Sequence, residues 1–104
     1  MQAKECDTMP EEAKVIADVL KTLANEHRLQ ILCELIEQPR TVGALCETIP
    51  GISQSALSQH LALLKAHGVV RDRKAGQSVT YSIADHRMEE LVAVLRRLYC
   101  RPDA

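Results

Sequence analysis

The stretch SQSALSQHLALLKAHGVVRDRKAGQSVTYSI, residues 53–83, reads as a helix followed by a basic β-hairpin. Three leucines recur at three- and four-residue spacing, which predicts a helix with one apolar face. These leucines are Leu57, Leu61 and Leu64. Ser53 suits the N-cap, and Gly68 suits the left-handed position after the last turn. The predicted helix therefore covers about residues 53–67.

Small polar residues occupy the first two turns of this helix. Short side chains suit entry into a major groove, where Ser and Gln can donate to and accept from base edges and phosphates. The helix dipole adds to this preference for phosphate, although the same residues also suit the solvated start of an ordinary surface helix. The candidate DNA-reading residues of the helix are Ser53, Gln54, Ser55, Ser58, Gln59 and His60.

The hairpin that follows combines an alternating strand with a basic one. Val79, Tyr81 and Ile83 alternate with polar neighbours, and Ala75-Gly76 supplies the turn. Long flexible cations can follow phosphate oxygens, although they also protect strand edges from aggregation. The candidate DNA contacts of this wing are Arg71, Arg73, Lys74 and Gln77. Helix and hairpin in this order predict a winged helix-turn-helix.

Charge distribution favours duplex DNA as a partner even though the net charge of the 104 residues is only −1. Residues 53–83 carry four Lys and Arg against one Asp, so the positive charge is concentrated in the predicted reader. The chain has no Trp or Phe and two Tyr, which leaves no stacking platform for single strands. A membrane-spanning run and a signal-peptide layout are both lacking, so we expect a cytosolic protein without a membrane partner.

Further helical patterns flank the reader and give the order α-α-α-α-β-β-α, a mainly α fold with a small β-hairpin. Their predicted N-caps are Asn25, Thr41 and Asp85. Residues 1–12 are predicted to be a flexible arm, and residues 13–104 one DNA-binding and dimerisation domain. The first and last helices are more apolar than one core needs, with Val15, Val94 and Tyr99 off their main stripes. This surplus predicts a homodimer, with two readers roughly 34 Å apart.

Several segments resemble the ArsR/SmtB winged-helix repressors, over about residues 13–100. They are NEHRLQIL (25–32), SQSALSQHLALLKAHGVV (53–70), the wing and the final helix. LQILCEL around Cys33 and RLYC ending at Cys100 resemble most the branch of this family that senses reactive sulfur. The resemblance implies a homodimeric repressor that leaves operator DNA when Cys33 and Cys100 react with a reactive sulfur species or another thiol oxidant.

Departures from the metal-sensing members bear on the choice of inducer. Only Cys46 keeps a thiol where the arsenic-sensing members have three, and the zinc site lacks companions for His86. We therefore predict no metal site and no cofactor. One alternative stays open, a metal- or metalloid-responsive repressor in which thiolates of Cys6, Cys46 and Cys100 meet across the dimer.

The sequence leaves other interpretations of these residues open. Cys33 also fits a small buried hydrophobe, and Cys100 a frayed terminal residue. A helix C-terminus raises the pKa of a thiol, and nearby arginines could offset this. A winged helix can also serve as a protein-binding adaptor without DNA. An enzyme is not predicted, because no nucleophile and base are paired in the sequence.

Overall fold

A computed structural model describes the backbone of residues 2–100 and the side chains of residues 11–100. Over this part of the chain, five helices and three strands follow one another in the order α1–α2–β1–α3–α4–β2–β3–α5. They are α1 (Gln2–Leu23), α2 (Glu26–Glu37), β1 (Arg40–Thr41), α3 (Val42–Thr48), α4 (Gln54–Ala66), β2 (Val70–Ala75), β3 (Ser78–Ile83) and α5 (His86–Tyr99). This is the mainly α winged helix-turn-helix that the sequence predicts.

The first helix begins earlier than predicted. The backbone of α1 is helical from Gln2, whereas the sequence predicts an arm over residues 1–12 and a helix from residue 13. Gln, Ala, Lys, Glu and Met are good helix formers, so local propensity continues the helix on both sides of Pro10. The flexibility predicted for the arm stays a prediction, because the side chains of residues 1–10 lie outside those described.

Capping side chains fix the starts of the remaining helices where the sequence places them. Each predicted N-cap accepts a hydrogen bond from a backbone N–H in the first turn of its helix. These caps are Asn25, Thr41, Ser53 and Asp85. Gly68 has a φ of 74°, so it takes the left-handed position just after the end of α4 as predicted.

The hairpin belongs to a three-stranded sheet with the order β1-β3-β2. β2 and β3 are antiparallel from Val70↔Ile83 to Ala75↔Ser78, and Gly76 with a φ of 63° lies in the turn between them. Strand β1 pairs with β3 at Arg40↔Tyr81 and Thr41↔Thr80 and was not predicted. A two-residue strand is too short to show alternation, so its pairing depends on contacts remote in sequence.

One hydrophobic core holds α2, α3, α4, the hairpin and α5 together. The apolar stripe of α4 faces this core, which leaves the opposite side of the helix for solvent or a ligand. The largest fully buried side chains are Ile31, Leu32, Leu45, Leu57, Leu61, Leu64, Val70 and Val92. Replacing one such leucine with alanine lowers the free energy of unfolding by about 2–5 kcal/mol, so the orientation of α4 is firmly set.

Several apolar side chains of α1 and α5 stay outside this core, although Leu23, Met88 and Val92 of the same helices belong to it. On α1, Val15 is 62% exposed and Leu20 54%, and on α5, Leu98 is 66% exposed and Tyr99 81%. The radius of gyration of 15.8 Å exceeds the roughly 13 Å of a compact domain of this length, and the longest dimension is 54 Å. Within residues 11–100, the two helices thus present exposed apolar faces, including the residues predicted to lie off the main stripes.

Candidate DNA interface and thiol cavity

Most of the predicted reading residues lie on the exposed side of α4. The exposed side chains in and just before its first two turns are Ser53, Gln54, Ser55, Ser58 and Gln59. The Oγ atom of Ser53 accepts a hydrogen bond from the Ala56 N–H at 3.1 Å, so its hydroxyl is already used as the cap. The other four offer free donors and acceptors on one helical face, which is the arrangement that base-edge readout needs.

His60 differs from these residues because it faces the protein. Its ring is half-buried, and its Nδ1 atom lies 3.3 Å from Nη1 of Arg28 on α2. The ring of His27 lies 6.0 Å away between centroids. Burial lowers the pKa of His60, and the charges of Arg28 and His27 lower it further. His60 therefore lies beside the polar row of α4 rather than within it.

The wing carries its predicted cations in the open. Arg71, Arg73 and Lys74 on β2 are exposed, and Gln77 is exposed in the turn. Arg71 and Arg73 lie two residues apart and project from the same face of the strand. Within residues 11–100 none of the three cations takes part in an ion pair. Their charge is therefore available to a polyanion.

One ion pair that the sequence did not predict joins the wing to α4. Lys65 Nζ donates to Asp72 Oδ2 at 2.9 Å, and this hydrogen bond raises the pKa of Lys65. Asp72 is the single acid of the 53–83 segment, so its charge is matched within the protein. The pair connects the end of the helix to the first strand of the wing, across the turn at Gly68.

Cys33 and Cys100 line the same cavity. This space of about 330 Å³ lies between α2 and α5, and apolar atoms make up almost all of its wall. The residues that line it are Leu29, Cys33, Val92, Leu95, Arg96, Tyr99 and Cys100. Both thiols are free, with Cys33 half-buried and Cys100 exposed. The fold thus brings together the two cysteines that the family resemblance pairs, 67 positions apart in the sequence.

Opposing effects act on the Cys33 thiol. Burial raises its pKa above the ordinary value, the Arg96 guanidinium lowers it, and Cys100, Glu34 and Glu37 raise it, with a net increase. Both carboxylates are paired with Arg40, at 3.1 Å to Glu34 and 3.2 Å to Glu37. The thiol form of Cys33 is therefore favoured at neutral pH.

A second cavity, of about 250 Å³, reaches Cys33 from the side of the helix-turn-helix. Leu29 and Cys33 line both cavities, and the second continues to Thr48, Ile49 and Pro50. These last residues lie just before α4. Cys33 therefore lies between the α5 side of the molecule and the turn that leads into α4.

Similarity to known proteins identifies the family of this chain. A family model described as bacterial regulatory protein, arsR family, matches residues 25–72. The transcriptional activator HlyU of Vibrio cholerae is 46% identical over 83 residues, which cover 80% of this chain and 76% of that protein. The structure of reduced HlyU from the same species matches with a TM-score of 0.84 at 41% identity, covering 90% of this chain and 98% of that one. The chain belongs to the arsR family of bacterial regulatory proteins.

Two further relatives of this arsR-family protein bear on its function. The biofilm growth-associated repressor of Xylella fastidiosa is 34% identical over 94 residues, covering 90% of this chain and 82% of that protein. The homodimeric winged helix-turn-helix DNA-binding domain of Mb0332 from Mycobacterium bovis matches with a TM-score of 0.75 at 33% identity, covering 88% of this chain and 84% of that one. The arsR-family chain is accordingly a DNA-binding transcriptional regulator and not an enzyme.

The alternative thiolate site of this arsR-family protein is not assembled among the side chains described. Cys6 lies outside them, and Cys46 on α3 packs beside the core without lining the cavity of Cys33 and Cys100. Within the same residues, no three His, Cys, Asp or Glu side chains are grouped as a metal site requires.

None of the described helices has the length and apolarity to cross a bilayer.

Proposed function

We propose that the chain is a homodimeric transcriptional repressor whose binding to operator DNA is switched by oxidation of Cys33 and Cys100. The observation that carries the proposal is that both thiols line one apolar cavity between α2 and α5. The reduced protein binds the operator. A disulfide or polysulfide bridge between the two cysteines releases it.

The DNA-binding surface consists of the exposed face of α4 and the wing. Ser58 and Gln59 reach base edges in the major groove, while Arg71, Arg73 and Lys74 contact the phosphate backbone. Support comes from the exposure of these side chains and from the lack of competing ion pairs for the three cations within residues 11–100. Backbone contacts supply affinity, and the helix supplies sequence preference.

Dimerisation pairs the exposed apolar faces of α1 and α5 with their copies in a second chain. Apolar side chains as exposed as Leu20, Leu98 and Tyr99 are typical of an interface. The relative Mb0332 is described as a homodimer, which supports the same assembly here. Two-fold symmetry places two copies of α4 on successive turns of one face of the duplex.

Repression is the direction of control that we propose. Relatives from Xylella fastidiosa are named repressors, whereas the Vibrio cholerae relative is named an activator. A reporter gene behind the operator distinguishes the two. Deleting the regulator raises expression from a repressed promoter and lowers it from an activated one.

The exposed thiolate of Cys100 reacts first with a hydropersulfide, RSSH. It takes the outer sulfur to give a persulfide on Cys100 and releases the thiol RSH. The Cys33 thiolate then attacks Sγ of the Cys100 persulfide, forms the Cys33–Cys100 disulfide and expels the outer sulfur as hydrosulfide. In sum, two thiols and RSSH give one disulfide, RSH and hydrogen sulfide, so the cysteines lose two electrons and the sulfane sulfur gains them.

The bridge acts on DNA binding through α2 and α5. Joining the two cysteines fixes α2, which packs beneath α4, to the helix that carries the proposed dimer contacts. A change in the separation or tilt of the two recognition helices follows. A coupling of about 1 to 3 kcal/mol, typical of allosteric proteins, weakens DNA binding about 5- to 150-fold.

The test compares single cysteine variants on an operator duplex recovered by selection from a random library. Polysulfide treatment should release the wild-type protein and the Cys46→Ser control, and leave Cys33→Ser and Cys100→Ser bound. Intact-mass analysis should show the loss of two hydrogens or the gain of bridging sulfur atoms. Release of Cys33→Ser by the same treatment contradicts the proposal.

A further inference from the structure

Arg28 connects three elements through one guanidinium group. Its Nε atom donates to the Thr22 carbonyl at 2.6 Å, and its Nη2 atom donates to the Lys21 carbonyl at 3.3 Å. Both carbonyls belong to the last turn of α1, where the helix dipole is negative, and the Lys21 carbonyl also accepts from the Ala24 N–H at 3.2 Å. Its Nη1 atom lies 3.3 Å from Nδ1 of His60 on α4. Arg28 itself lies in the first turn of α2.

The chemistry of the guanidinium assigns the protonation state of His60. Arginine donates hydrogen bonds and accepts none, so Nδ1 of His60 must be the acceptor. The ring is then neutral, with its proton on Nε2. A protonated ring would place an N–H against an N–H and two positive charges together, and the contact would be lost.

We propose that Arg28 is a positioning residue that holds the recognition helix α4 against the end of α1 through the neutral ring of His60. The inference rests on α4 being the DNA reader, as proposed above. α1 also carries an exposed apolar face of the proposed dimer, so this contact joins the dimer helix directly to the reader. His60 then acts on DNA affinity by fixing α4 and does not itself read a base.

Charged groups around the Arg28–His60 contact come from α2, from α1 and from the end of α4. From α2, Arg28 and His27 both disfavour its protonation, and burial does so more strongly. From α1, Lys21 and Asp18 line a cavity with Arg28, together with His67 from the end of α4. Because the pKa of His60 is lowered, the contact is intact at neutral pH and is lost as the pH falls through the titration of this ring.

Two substitutions of His60 separate positioning from direct readout on the reduced protein. Asn places an acceptor oxygen at the same number of bonds from the backbone as Nδ1, whereas Ala removes the acceptor. We expect His60→Ala to bind the operator duplex about tenfold more weakly and His60→Asn to bind within about twofold of wild type, as the loss or retention of a hydrogen bond to a charged group predicts. Equal losses in both variants, or no loss in His60→Ala, overturn the proposal.

The pH dependence gives a readout that a purely structural role does not move. NMR of the ring defines the pH interval over which His60 titrates. As the pH falls through that interval, the operator affinity of the wild-type protein should decrease relative to that of His60→Asn, which cannot titrate. A relative rise shows that a protonated ring contacts phosphate, and a constant ratio shows that the ring charge does not matter. Either result overturns the proposal.

The partner residue completes the test with a double-mutant cycle. Arg28→Lys keeps the charge and loses the fork that reaches α1 and α4 together, so we expect about tenfold weaker binding. Adding His60→Ala to Arg28→Lys should weaken binding little further, while independent losses contradict the coupling. Thermal unfolding checks that each variant is folded. If Arg28→Lys does not fold, the comparison of His60→Ala with His60→Asn decides whether His60 has the positioning role.

Gln59→Ala serves as the reference for the reading face. If it retains full affinity along with Ser58→Ala, the assignment of α4 as the reader fails. If both weaken binding and the His60 variants do not, only the positioning role fails.

Discussion

At the residue scale, the reactivity of Cys33 depends on a balance between burial and one arginine. Burial raises the pKa of the thiol, and Arg96 is the cation that opposes this. Only the thiolate attacks sulfur, so the closing step of the bridge is limited by the thiolate fraction of Cys33. Cys100 is exposed, so in the proposed mechanism it meets the reagent first.

Arg96→Gln should slow closure of the bridge about threefold to tenfold, because the remaining effects raise the pKa of Cys33 further. Arg97→Gln is the matched control, since it removes a neighbouring exposed cation that does not act on Cys33. Stopped-flow kinetics on protein loaded with one sulfur at Cys100 measures the step. For wild type the rate should rise about tenfold per pH unit below the pKa of Cys33. Equal slowing by both variants excludes a specific role for Arg96.

At the element scale, the wing carries three exposed cations, and the Lys65–Asp72 pair joins its first strand to α4. Within the described residues, no ion pair involves Arg71, Arg73 or Lys74. The contribution of the wing should therefore appear in the salt dependence of binding rather than in sequence preference.

Arg73→Ala should make the slope of log affinity against log salt shallower by roughly 2, since each protomer of a dimer loses one phosphate contact. Arg87→Ala is the control, because Arg87 is an exposed cation of α5 that is paired with Asp85. Fluorescence anisotropy on one duplex at several salt concentrations gives both slopes. The same change in the control would assign the effect to net charge rather than to the wing.

Local chemistry makes the elements predictable from sequence, whereas the site depends on contacts between residues remote in the chain. Caps such as Asn25 and Asp85 and the leucine stripe of α4 act within a few residues, so their positions follow from sequence. β1 and the contact of Arg28 with His60 join residues far apart in the chain. One signal was present, because His60 lies three residues after Leu57 and therefore at the edge of the buried stripe.

At the scale of the whole molecule, the proposed pairing of the exposed faces of α1 and α5 is what would let two readers act together. A single protomer has few cations with which to bind a duplex. In a dimer, once one protomer is bound, binding of the second protomer to the same duplex is intramolecular. The thiol prediction depended on the family resemblance, since sequence spacing alone does not bring Cys33 to Cys100.

Leu98→Glu should separate the dimer, because it places a charge on an apolar face without disturbing the core of the protomer. We expect operator affinity to fall about 100-fold or more as the second reader is lost. Sedimentation equilibrium measures the assembly, and Leu98→Met is the size-matched control. A Leu98→Glu protein that stays dimeric places the interface elsewhere.

The cavity shared by the two thiols has a consequence for the DNA-bound state. Linkage is reciprocal, so if closing the bridge weakens the grip on the operator, an occupied operator must resist closing of the bridge by the same factor. Each tenfold of that factor raises the midpoint potential of the dithiol couple by about 30 mV. Redox titration with and without the duplex measures the shift. Regulator that is already seated on its promoter would then be the last fraction in the cell to respond.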